Sequence, residues 1–91
     1  MERLPFQIVL YGRPGCHLCD DVEKLIKRVG REFPLILTLV DITGDDELHQ
    51  KHMFTIPVVA IDGEEVFPSV TSVVTEYEFR EELTRRARLF A

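Results

Sequence analysis

The sequence predicts a single α/β domain spanning residues 1–91, with elements in the order β-α-β-α-β-β-α. Three observations carry this. A strand-like run at residues 6–11 is followed by a helix-periodic segment and a second apolar run at 35–40, the beginning of a βαβ unit. Two further strand-like runs flank Asp62-Gly63, a dipeptide suited to a two-residue hairpin turn. Thr75 and Glu78 form a capping box ahead of a last helical pattern.

Each element has its own signal. Residues 6–11 (Phe-Gln-Ile-Val-Leu-Tyr) are β-branched and aromatic and stop at Gly12, with Pro14 and Gly15 marking a loop. From there Leu18, Val22, Leu25, Ile26 and Val29 recur at helical spacing, with acids early, Lys27 and Arg28 late, and Gly30 as the stop. Residues 35–40 (Leu-Ile-Leu-Thr-Leu-Val) are almost continuously apolar and suit a central or doubly covered strand. The connection between these two strands is long enough to make them parallel. Residues 43–53 read as a short polar helix opened by capping residues. A third strand is expected over 55–61 and a returning strand over 66–70, with Pro68 confining the latter to a sheet edge. Phe79, Leu83, Ala87 and Phe90 then mark the buried stripe of the closing helix.

Composition narrows the function. Apolar residues make up 45% and charged residues 30%, as in a folded water-soluble chain, and no apolar run approaches the roughly 20 residues needed to span a bilayer. The N-terminus has no signal-peptide pattern, so a cytoplasmic location without membrane attachment is expected. The net charge of -5, with Arg85, Arg86 and Arg88 preceded by Glu76, Glu78, Glu81 and Glu82, disfavours nucleic acid as a partner. No heptad or apolar stripe argues against a monomer.

The two cysteines, Cys16 and Cys19, are too close in sequence to staple a fold, because the loop they close removes little unfolded-state entropy. Their use is therefore local chemistry. At a helix start, unpaired backbone N–H groups and the macrodipole favour a thiolate, and Cys16 is the better placed of the two. Cys16 is accordingly read as the nucleophile and Cys19, one turn further in, as the thiol that resolves a mixed disulfide. Arg13 either brings a cation to the developing thiolate or is a solvated loop charge, and His17 either tunes the site or is simply exposed.

The order of elements, the CxxC at the first strand-to-helix junction and the later Thr55-Ile56-Pro57-Val58 together resemble the thioredoxin fold, with a brevity similar to glutaredoxins. The resemblance covers nearly the whole chain. It implies a four-stranded mixed sheet with three helices and a cis Ile56-Pro57 bond facing the cysteines, where Ile56 would offer its backbone to a substrate. The segment Tyr-Gly-Arg-Pro-Gly-Cys-His-Leu-Cys-Asp looks most like small glutaredoxin-like proteins. It has neither the Pro-Tyr between the cysteines that glutaredoxins favour nor the tryptophan and Gly-Pro of thioredoxins. Residues 67–74 also lack the Gly-Gly-x-Asp type segment with which glutaredoxins hold the amino-acid end of glutathione. The implied activity is thiol-disulfide exchange without a resident cofactor. Its partners would be a disulfide-containing protein or glutathione as co-substrate, together with an unidentified reductase.

Three rival readings compete. Cys16, Cys19, His49 and His52 form a zinc-like donor set, though the intervening helix and strand are unlike a compact finger, and both histidines are expected on the exposed face of a polar helix. Cys16 thiolates of two protomers could bridge an iron-sulfur cluster, with glutathione or Cys19 completing the ligands. A non-catalytic binding module would use the same groove, lined by Tyr11 and Phe67, for docking, but these strand aromatics also suit sheet packing. Asp41, Asp45 and Asp46 read as strand-end and helix-cap acids.

Overall fold

The computed structural model describes residues 4–89. The elements are β1 (Phe6–Gly12), α1 (His17–Val29), β2 (Leu35–Asp41), a 3₁₀ turn (Ile42–Gly44), α2 (Asp46–His52), β3 (Val58–Ile61), β4 (Glu64–Phe67) and α3 (Glu76–Leu89). The strand order is β2-β1-β3-β4, with β1 and β2 parallel and the other pairs antiparallel. This is a four-stranded mixed sheet with three α-helices, in the expected order.

Alternation along the strands gives the sheet two different faces. Phe6, Ile8 and Leu10 of β1, with Val59 and Ile61 of β3, join Val22, Leu25, Ile26 and Val29 of α1 and Phe79 and Leu83 of α3 in one apolar core. Across the strand pair, Val9 lies opposite Ala60 and Tyr11 opposite Val58, and these project to the other face. There His52, at the end of α2, stacks on Tyr11 with ring centroids 4.8 Å apart.

Several boundaries move for identifiable reasons. The third strand begins at Val58 instead of residue 55, because the N–H groups of Thr55 and Ile56 both donate to the His52 carbonyl (2.9 and 3.1 Å) and Pro57 has no N–H. Asp62 (φ 50°) and Gly63 (φ 88°) turn the chain within two residues, so pairing resumes at once, with Glu64 opposite Ile61. The returning strand is therefore Glu64–Phe67 and not 66–70, with a bulge opposite Val59 and Ala60. Beyond Pro68, Ser69 is tied back to the α2–β3 segment: its N–H donates to Thr55 O (2.8 Å) and its hydroxyl to Pro57 O (2.6 Å).

The apolar run of β2 is not central. β3 returns on the other side of β1, leaving β2 as an edge strand on which Ile36 and Leu39 stay about half exposed. The expected helix over 43–53 divides in two because each part has its own acidic cap. Asp41 accepts from Thr43 N–H (2.9 Å), and Asp45 accepts from Leu48 N–H (3.1 Å). In α1 the buried stripe runs through Cys19, Val22, Leu25, Ile26 and Val29, and Leu18, read as part of it, is 50% exposed. The capping box at Thr75 and Glu78 forms as anticipated. Phe79 and Leu83 are buried, Ala87 packs partly against them, and Phe90 lies outside the described residues. No described helix is long and apolar enough to cross a membrane.

Candidate active site

The site is built where β1 ends and α1 begins. Gly12 ends the strand, residues 13–15 form the loop, with Gly15 at φ 77°, and Cys16 is the N-cap of α1 in an extended conformation. The usual Ser, Thr or Asp oxygen of an N-cap is replaced here by sulfur: Cys16 Sγ accepts the backbone N–H of Cys19 at 3.1 Å. Cys16 N–H donates to Arg13 O (3.3 Å), which closes the loop, and Asp20 N–H donates to Cys16 O (3.1 Å), which starts the helix. Local sequence thus places one sulfur among the orphan N–H groups of a 13-residue helix, where negative charge is favoured.

Cys16 and Cys19 form a disulfide with their Cα atoms 5.2 Å apart. The two sulfurs have unequal surroundings. Cys16 is partly exposed, whereas Cys19 retains 6% of its surface and faces the sheet. Gly12 is the reason it can: a Cβ at Gly12 would lie 3.0 Å from Cys19 Sγ and 3.1 Å from Cys19 Cβ. Sequence reasoning treated Gly12 only as the end of a strand. The signal was present in its position four residues before a CxxC, but the close approach that requires a glycine is visible only once the helix is packed on the strand.

The remaining predicted residues distribute around this pair. His17 is almost fully exposed, with Nε2 3.7 Å from Asp21 Oδ2. Arg13 is exposed and lines a small cavity that also touches Cys19. The Ile56-Pro57 bond is cis, and Pro57 is buried directly before β3, whose Val58 pairs with Tyr11 one residue before Gly12. The register therefore brings the 55–57 segment and the CxxC loop to the same end of the sheet. Ile56 does not present a free N–H, since that group is held by the His52 carbonyl.

The histidines require a correction. His52 is not on an exposed helix face. It keeps 3% of its surface, stacks on Tyr11, and lies 3.2 Å from Glu65 Oε2, with Lys51 Nζ 3.3 Å from the same oxygen. Although within ion-pair distance, Nε2 is not aligned for a hydrogen bond to that carboxylate. Among the described residues no three His, Cys, Asp or Glu side chains converge as a metal site. Asp41 acts as a strand-end cap, and hydrogen bonds from the Thr43 hydroxyl and N–H hold its carboxyl below the ordinary carboxylate range.

A CxxC disulfide capping the first helix of this mixed sheet defines a glutaredoxin-like protein of the thioredoxin fold. Residues 7–85 match the family described as glutaredoxin-like domain (DUF836), and the chain belongs to that family. Among solved structures it is similar to protein XcR50 from X. campestris (TM-score 0.69, 22% identity, 86% of this chain and 96% of that one). It is also similar to Ne2328 from Nitrosomonas europaea (TM-score 0.66, 24% identity, 75% of this chain and 82% of that one). A third similar structure is a mutant thioredoxin from Halobacterium salinarum (TM-score 0.66, 14% identity, 88% of this chain and 73% of that one). At these identities the likeness shows the fold. No curated protein matches the sequence.

Proposed function

We propose that the chain is a cytoplasmic thiol-disulfide oxidoreductase working through a two-cysteine cycle. The observation that carries this reading is the unequal disulfide at the start of α1, with Cys16 partly exposed on the cap and Cys19 buried behind it. In the reduced protein, helix N–H groups favour the Cys16 thiolate, which attacks a substrate disulfide and expels one substrate thiolate. Cys19 then attacks Cys16 Sγ, releasing the second substrate thiol and leaving the Cys16–Cys19 disulfide. An unidentified reductase restores the dithiol. The substrate is a disulfide-containing protein, with glutathione as the alternative co-substrate, and the protein acts as a monomer without a resident cofactor.

In this reading Arg13 and exposed His17 set the charge of the loop over which substrate approaches, and the segment Ile56-Pro57 forms the facing wall. With the Ile56 N–H engaged internally, its carbonyl is the group left to receive a substrate N–H.

The test is to equilibrate the purified protein in graded thiol-disulfide buffers, alkylate free thiols and count modified cysteines by mass. A single two-electron transition supports the reading. A pair that never closes, or resists alkylation until a chelator is added, overturns it in favour of metal binding. Cys16→Ser should abolish turnover, and Cys19→Ser should stop the cycle at a mixed disulfide.

A further inference from the structure

Resting on the two-cysteine cycle above, we propose that Ser69 is a positioning residue for the wall that faces the cysteines. It occupies the carbonyls on either side of Ile56, so that the wall offers a substrate one hydrogen-bond acceptor in one fixed place.

Local sequence sends Ser69 to this position. Pairing between β3 and β4 ends with Phe67 opposite Val59, and Pro68 has no N–H with which to extend the ladder, so the chain leaves the sheet edge there. Ser69 turns onto the 55–57 segment. Its N–H donates to Thr55 O (2.8 Å) and its hydroxyl to Pro57 O (2.6 Å). Two bonds from one residue, to carbonyls two positions apart, fix the orientation of the segment as a single bond could not.

The main-chain groups of this segment can be followed one by one. The Thr55 and Ile56 N–H groups donate to the His52 carbonyl (2.9 and 3.1 Å), which the Thr55 hydroxyl also reaches (3.3 Å). Pro57 has no N–H. Ser69 takes the Thr55 and Pro57 carbonyls, and among the described residues nothing donates to the carbonyl of Ile56. The wall is thus braced from α2 by His52 and from the β4–α3 connection by Ser69. Without the hydroxyl, the carbonyl of the buried Pro57 loses its partner. An unsatisfied carbonyl there is costly, and relief comes from shifting the segment or turning that carbonyl toward the incoming substrate. Either change removes the single, fixed acceptor.

A lone carbonyl acceptor selects a donor. The substrate class that fits is a disulfide in an extended peptide, with a backbone N–H beside the reacting sulfur held by Ile56 O. That contact sets how the sulfur lies against Cys16, and a displaced acceptor places it less well.

The probe is acetyl-Ala-Cys-Ala-amide with its sulfur joined to thionitrobenzoate, compared with the same peptide N-methylated at every backbone nitrogen. Attack of the Cys16 thiolate on the peptide sulfur forms the mixed disulfide and expels thionitrobenzoate. Its absorbance in a stopped-flow spectrometer gives a limiting rate and a half-saturation concentration. In the wild type the N-methylated peptide should need about tenfold more for half-saturation, the loss of one hydrogen bond. Ser69→Ala should raise half-saturation for the unmethylated peptide about five- to tenfold and erase most of the difference between the two, with the limiting rate within about twofold. Ser69→Thr, which keeps the hydroxyl, should restore the preference. 5,5′-Dithiobis(2-nitrobenzoate), which has no amide N–H, should react with wild type and Ser69→Ala at rates within about twofold of each other. The proposal is overturned if the wild type does not distinguish the two peptides, if Ser69→Ala keeps the wild-type preference, if Ser69→Thr behaves as Ser69→Ala, or if Ser69→Ala slows the amide-free reagent as much as the peptide. Release of only one thionitrobenzoate from that reagent by the reduced wild type would instead sink the two-cysteine cycle itself.

Discussion

The two faces of the sheet are built by different means. Under α1 and α3, Phe6, Ile8, Leu10, Val59 and Ile61 meet Val22, Ile26, Phe79 and Leu83 in an uninterrupted apolar layer. Around its rim, Arg80 bridges Glu32 (2.7 Å) and Glu76 (2.9 Å), Arg28 reaches Glu76, and the buried Arg86 joins α3 to β4 through Glu64 (2.7 Å). On the face carrying α2, a seven-residue helix covers Tyr11 with an imidazole instead of an aliphatic side chain. The first face supplies cohesion. The second ties the 55–57 segment to the site end of the sheet through the three hydrogen bonds accepted by the His52 carbonyl.

That contrast can be broken on either side. The largest effect is expected from Phe79→Ala, which empties a fully buried aromatic site between α3 and the sheet and should cost about 3–5 kcal/mol in denaturant titration. A loss below about 1 kcal/mol would mean that the α1–α3 layer is not the main source of stability. On the thinner face, His52→Ala should cost about 1–3 kcal/mol, whereas His52→Phe should stay within about 1 kcal/mol of the wild type. The reason is that the ring packs on Tyr11 while its Nε2 makes no aligned hydrogen bond, so shape matters more than polarity. Equal losses in the two variants would show that the contact with Glu65 is the important one.

The smallest effect concerns the charged rim. Hydrogen bonding from Arg85, opposed by burial and reinforced by Arg86, holds the Glu82 carboxyl below its ordinary value. A carboxyl depressed in the folded state stabilises above its unfolded pKa of about 4.3, and that contribution disappears as pH falls through the lower folded value. Acidification from about pH 5 to 3 should therefore destabilise the wild type more than Glu82→Gln, by less than about 1 kcal/mol in thermal melts at matched salt. The same difference at high ionic strength would indicate that the charges are not responsible.

Legibility in the sequence followed the same division. The stripe Val22, Leu25, Ile26, Val29 and the pair Phe79, Leu83 could be read directly, because helical periodicity reports which side chains share a buried face. Asp62-Gly63 and Thr75/Glu78 were equally plain, since turn and cap chemistry is local. His52 was misread because nothing in a polar heptapeptide shows that Tyr11, some forty positions earlier, will stack on it. The apolarity of β2 suggested cover on both sides, but which strand ends at an edge depends on where β3 inserts.

For the candidate site, the chain's local order suffices for the chemistry available and where it sits: two thiols three residues apart, a strand-ending glycine, and a helix start with unsatisfied N–H groups. How unequal the thiols are is settled by packing alone. Burial of Cys19 depends on α1 lying so close to β1 that no side chain fits at Gly12 beside its sulfur. The cavity beside Cys19 joins residues from β1, its loop, α1 and β2. Helix caps and turns arise from neighbours in the chain and can be read along it. A sulfur's solvation arises from neighbours in space, which come together only when the elements dock.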